Sequence, residues 1–122
     1  MKTSPTQRTL KLLRAQGWTV QIVERWNPFA KIRQDLFGGI DLVALKPGVC
    51  LGVQCTSATN HSARVAKLLA EPKLAAWVAS GCRLEVISWG LKGERGKRKT
   101  WQERRETVEY FVERIDEPEA TR

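Results

Sequence analysis

The chain has 122 residues, 42% of them hydrophobic, and its 21 lysines and arginines against 13 acids give a formal charge of +8. That length and apolar content suit one domain with its own core and exclude a disordered or fibrous chain. Three cysteines are too few and odd in number for a disulfide scaffold, and no apolar run is long enough to span a bilayer. A cytoplasmic protein with free thiols and no membrane partner is therefore expected, its positive charge directed at a polyanion such as nucleic acid.

Ser4-Pro5-Thr6-Gln7 predicts a helix start, with Ser4 as N-cap, Pro5 at the first helical position and Gln7 closing a capping box. Leu10, Leu12 and Leu13 supply its apolar stripe, and Gly17 ends it. Residues 18 to 24 alternate as a strand that puts Trp18, Val20 and Ile22 on one face. Arg25 to Gly38 holds Asn27-Pro28 and no sustained period, which predicts a loop carrying Lys31, Arg33 and Asp35. Two strands follow around Lys46-Pro47-Gly48-Val49, a tight turn. After the polar crossover Thr56 to Ser62 comes a helix with Val65, Leu68 and Leu69 inward, broken at Pro72 and resumed to Gly81 with Leu74, Trp77 and Val78. Arg83 to Trp89 is the next strand, and a last one is expected from about Thr100 to Phe111. Between them, Lys92, Arg95, Lys97, Arg98, Lys99, Arg104 and Arg105 outnumber Glu94 and Glu103, so this glycine-containing loop concentrates positive charge. The order helix, three strands, helix, two strands predicts an α/β domain over residues 1–113, a central mixed sheet flanked by helices. An acidic, frayed tail is expected over 114–122.

Asp41 stands out, because an ionised carboxylate inside Gly39-Ile40-Asp41-Leu42-Val43-Ala44-Leu45 costs several kcal/mol unless it is paired or holds a metal. With Pro47 and Gly48 central in the turn, Lys46 pairs with Val49, and counting back sets Asp41 opposite Gln54 and Gly39 opposite Thr56. Alternation then puts Asp41, Gln54 and Thr56 on one face, and Ile40, Leu42, Val53 and Cys55 on the other. A zinc site from Cys50, Cys55, Cys82 and His61 fits no common ligand spacing, and Cys50 and Cys55 face opposite ways. Simpler roles compete throughout: capping for Gln7 and Asp35, a surface ion pair for Glu24, strand-end hydrogen bonds for Gln54 and Thr56, and a helix start for His61.

The element order and the run Gly38-Gly39-Ile40-Asp41-Leu42-Val43-Ala44 resemble the PD-(D/E)xK, or restriction-endonuclease-like, nuclease superfamily, notably Holliday-junction resolvases and phage nucleases, over roughly residues 4 to 90. Where that family has Glu-x-Lys this chain has Gln54-Cys55-Thr56, and Gln7 is the best match to the resolvases' first-helix glutamate. The resemblance implies a Mg²⁺- or Mn²⁺-dependent endonuclease acting on DNA, with RNA as another possible target, structure-selective for branched or junction substrates and homodimeric. Asp41, Gln54 and either Asp35 or Glu24 would hold the metal, and Thr56 would orient water. Arg33, Arg64 or Lys67 would stand in for the missing lysine. These three, with Lys92, Arg95, Lys97, Arg98 and Lys99, would grip the backbone. Two rival readings are a non-catalytic nucleic-acid-binding module with a decayed metal site, and an interaction subunit marked by Trp26, Trp77, Trp89 and Trp101.

Overall fold

The computed structural model describes residues 3–110. Helix α1 (Pro5–Ala15) starts where Ser4 Oγ accepts the Gln7 backbone N–H at 3.1 Å, and it buries Thr9, Leu10 and Leu13. Strands β1 (Thr19–Ile22), β4 (Leu42–Lys46), β5 (Val49–Ser57), β6 (Arg83–Lys92) and β7 (Thr100–Thr107) form one mixed sheet in the order β1-β4-β5-β6-β7. Only β5 and β6 are parallel. Their crossover is a 3-10 turn, helix α2 (His61–Leu69) and helix α3 (Pro72–Ala79), separated at Pro72 because that residue cannot continue the hydrogen-bond ladder. The described residues therefore form an α/β domain of three helices on a five-stranded sheet, and among them no helix is long and apolar enough to cross a membrane.

Each face of the sheet has its own core. Leu10 and Leu13 of α1 cover Val20, Leu42, Ala44, Leu51, Val53, Cys55, Ile87 and Trp89. On the opposite face Leu68 of α2 and Leu74 of α3 pack with Ile40, Leu84, Val86 and Val108. The β4–β5 register has Lys46 opposite Val49 and Leu42 opposite Val53, as the turn residues require.

Four details depart from the sequence reading. Residues 25 to 38 are not simply a loop: β2 (Arg25–Asn27) and β3 (Ile32–Gln34) form an antiparallel hairpin. Asn27 Oδ1 caps its turn by accepting the N–H groups of Phe29 and Ala30 at 3.0 and 3.1 Å. Ile40 lies with Leu68 and Leu74 rather than beside Leu42, because it sits in a turn bridged to Leu36 where strand alternation has not begun. Leu69 is 49% exposed, so α2 turns His61, Leu68 and part of Val65 inward. Strand β7 ends at Thr107. Phe111 and the acidic tail lie outside the described residues.

Gly39 shows how tightly the entry to β4 is held. A Cβ there would overlap the ends of the Leu68 and Leu74 side chains, so any larger residue would force those core leucines to shift just before Asp41.

Candidate metal centre

Two hairpins meet at the site. In the first, Trp26 opposes Arg33 and Arg25 opposes Gln34, and the same register continued sets Glu24 opposite Asp35. Glu24, Trp26, Arg33 and Asp35 thus share one hairpin face by alternation. In the second, the paired register ends at Leu42 opposite Val53, and the next residues, Asp41 and Gln54, meet through their side chains. The two hairpins are joined where the Val23 N–H donates to the Asp41 carbonyl at 2.9 Å, while the Asp41 N–H donates to the Val53 carbonyl at 2.8 Å. Carboxylate oxygens of Glu24, Asp35 and Asp41 consequently lie within 4.8 Å of one another.

Asp41 is 3% exposed. Its Oδ2 accepts Gln54 Nε2–H at 2.5 Å and the Cys55 backbone N–H at 2.9 Å. These two donors do not satisfy its charge. Burial, then a hydrogen bond to Asp35, then the charges of Asp35 and Glu24 push its carboxyl up from 3.8 to about 8, against the opposing pull of the Cys55 N–H. At neutral pH Asp41 therefore favours the acid form. Gln54 Oε1, on the amide that contacts Asp41, is buried with no hydrogen-bond partner among the described residues.

Three carboxylates and a spare buried amide oxygen form an all-oxygen donor set, the kind that hard divalent cations prefer, and a cation among them would remove the repulsion that holds the proton on Asp41. The cluster can hold a metal ion.

Two of the suggested cations stand beside these acids. Arg33 Nη1 lies 3.4 Å from Glu24 Oε1, and Lys67 Nζ of α2 lies 3.9 Å from Asp35 Oδ2. Arg64, one turn earlier on α2, has no ion pair among the described residues. Thr56 is buried on the Gln54 face, two residues along β5 and in register with Ser88 rather than beside the acids. Lys92, Arg95, Lys97, Arg98 and Lys99 are exposed at the β6–β7 tip. Because β5 and β6 are parallel with Gln54 beside Val86, this tip projects from the same end of the sheet as the acids, about 20 Å beyond them at strand rise.

Sequence reasoning missed a second buried polar group. His61 is 1% exposed. Its Nδ1 contacts Ser88 Oγ at 2.6 Å and its Nε2 contacts Glu106 Oε1 at 2.9 Å. It therefore ties α2 to β6 and β7, and no thiol approaches it as a zinc ligand would require. Ser88 is too deeply buried to meet a substrate, so the trio is a structural clamp. Cys55, pushed up to about 12 by burial and the nearby acids despite hydroxyl contacts from Thr9 and Thr6, is an inert core thiol. Trp77 and Trp89 also serve the interior rather than an interface, donating to the Arg83 carbonyl at 2.8 Å and to Thr9 Oγ1 at 2.9 Å.

Comparison with protein-family models, with curated proteins and with solved structures gives no match to this chain.

Proposed function

We propose that this protein is a divalent-metal-dependent phosphodiesterase, an endonuclease on DNA of the restriction-endonuclease-like kind, selective for structured substrates such as branched or junction DNA. The observation that carries the reading is the convergence of Glu24, Asp35 and Asp41 within 4.8 Å beside the unpartnered Gln54 Oε1. Asp41 immediately before β4 and in side-chain contact with Gln54 of the hairpin partner fits the arrangement that the sequence motif implies. A homodimer is part of the same reading.

In this mechanism Asp41, Asp35 and Glu24 hold Mg²⁺ or Mn²⁺, with Gln54 offering its neutral oxygen. Such an ion, when bound, supplies Lewis-acid stabilisation of charge developing on a phosphate and acidifies water. Lys67 and Arg33 take over the missing lysine's part from other backbone positions, holding a phosphate oxygen against the acids and compensating charge in the transition state. Thr56 cannot compensate charge, and its buried position beside Ser88, away from the acids, leaves the sequence-based role of orienting water unsupported. The basic β6–β7 tip holds the nucleic-acid backbone without reading sequence.

The rival, a nucleic-acid-binding module without chemistry, is favoured by one observation: Gln54 Nε2–H closes on Asp41 where a metal-binding carboxylate would stand. Titration of Mg²⁺ and Mn²⁺ against end-labelled linear and branched DNA separates the two. Cleavage that disappears in Asp41→Ala supports the enzyme. Binding without cleavage at every metal concentration, unchanged in Asp41→Ala, supports the module.

A further inference from the structure

The face of the β2–β3 hairpin that carries Glu24 and Asp35 continues outward to Trp26 and Arg33, one alternation and about 7 Å further along each strand. Trp26 is 58% exposed on a domain with ample core in which to hide it. It lines a cleft of about 410 Å³ with Arg25, Asn27, Pro28, Gln34 and Phe37, and Asp35 forms part of the wall, so the aromatic rings there stand among polar groups. On the other side of Asp35 a second cleft of about 420 Å³ is lined by Arg33, Lys67, Lys73 and Gly38. An aromatic cleft and a three-cation cleft thus flank one acid of the metal centre.

Those are the two chemistries of a nucleotide, a flat base and an anionic phosphate, side by side. We infer that the β2–β3 hairpin is a nucleotide-binding arm, in which Trp26 stacks on an unpaired base of the DNA while Arg33, Lys67 and Lys73 hold the adjoining phosphate. The inference rests on the reading of the acids as a DNA-cleaving centre and adds the feature by which it selects substrates. A base inside an intact duplex has both faces covered by its neighbours and offers Trp26 nothing to stack on, so the arm favours single-stranded gaps, flaps and branch points. The rim of Phe29 and Ile32, both exposed at the hairpin tip, suits the same wet, irregular target.

The test uses fluorescently labelled oligothymidylate and a fully paired hairpin duplex, titrated with the full-length protein in EDTA so that metal plays no part. The wild type is expected to prefer the single strand. Trp26→Ala should weaken oligothymidylate binding about 5- to 100-fold, the effect of removing one base-stacking aromatic, with duplex binding changed less than twofold. Trp26→Phe should recover most of the loss, and Lys73→Gln should weaken both ligands and flatten the salt dependence. Trp26 is exposed, so its variants should keep the wild-type melting temperature. Equal affinity of Trp26→Ala and wild type for oligothymidylate, or equal losses on single strand and duplex, overturns the arm. Because cleavage is not measured, failure of the nuclease reading would leave these titrations intact, and failure of the arm would leave metal-dependent cleavage standing.

Discussion

Two buried polar clusters lie on the same face of the same sheet, and they are built to opposite specifications. Around His61 both ring nitrogens have partners, Ser88 Oγ and Glu106 Oε1, drawn from two strands and closed over by α2. Around Asp41 the balance fails: three carboxylates crowd within 4.8 Å, and Gln54 Oε1 has no partner among the described residues. A satisfied network fixes a fold, whereas acids held together against their own repulsion indicate a ligand that relieves it. Position in the sheet alone would not have separated them, since Gln54 and Thr56 neighbour Val86 and Ser88 strand to strand.

The comparison breaks most sharply with paired substitutions. Asp41→Asn keeps the shape of the protonated carboxyl and can still donate to Asp35, so the fold should survive. Affinity for Mn²⁺ measured by calorimetry should nevertheless fall more than about a hundredfold, since loss of groups that merely support metal ligands already costs 10–100-fold. His61→Ala should do the reverse. It leaves Ser88 and Glu106 without their partner and opens a cavity, lowering unfolding free energy in urea by about 2–3 kcal/mol with metal affinity unaltered.

A pH series sharpens the same contrast. The Asp41 carboxyl titrates near 8 in the fold against an ordinary 3.8, so between those values the folded chain binds more protons than the unfolded one. Its contribution is fully present below the unfolded value and is lost as pH rises through the folded one. Metal-free wild type should therefore lose stability from about pH 4 to about pH 8 relative to Asp41→Asn, and saturating metal should remove the difference. Chemical denaturation at several pH values measures it, and parallel pH profiles for the two proteins would contradict it.

The smallest expected effect belongs to the site's outer cations. Lys67→Gln should leave the melting temperature in place, because its ion pair with Asp35 is half-exposed at 3.9 Å. On the proposed reading as a DNA-directed protein, it should still reduce the salt dependence of DNA binding by about 0.9 in log–log slope, one phosphate contact.

The inner half of the site was legible because local rules pin it. Pro47-Gly48 sets the turn, and the turn sets a register that runs to Leu42 opposite Val53, which brings the side chains of Asp41 and Gln54 together just beyond it. Ser4 and Pro72 likewise mark the start of α1 and the break between α2 and α3 through capping and the missing N–H. The outer half was hidden. Strands β2 and β3 are three residues each and mostly exposed, so no core face stamps a period on them, and only the Asn27 turn could have revealed that Glu24 and Asp35 oppose one another. Ile40 misled because alternation was carried one residue too far into a bridged turn. His61 was legible as the start of α2 but not as a buried clamp, since its partners come from strands 27 and 45 residues away.

The central claim is that Asp41 is raised in pKa and Gln54 left unpartnered because a divalent cation belongs between them and the neighbouring acids. An anomalous-difference map from crystals equilibrated with Mn²⁺ at pH 8 tests it most directly. The expected result is one strong peak bonded to Asp41 and to Asp35 or Glu24, with the Gln54 amide turned to present Oε1. Crystals saturated with Mn²⁺ that show no peak among these residues, with Gln54 Nε2 still donating to Asp41, would contradict it.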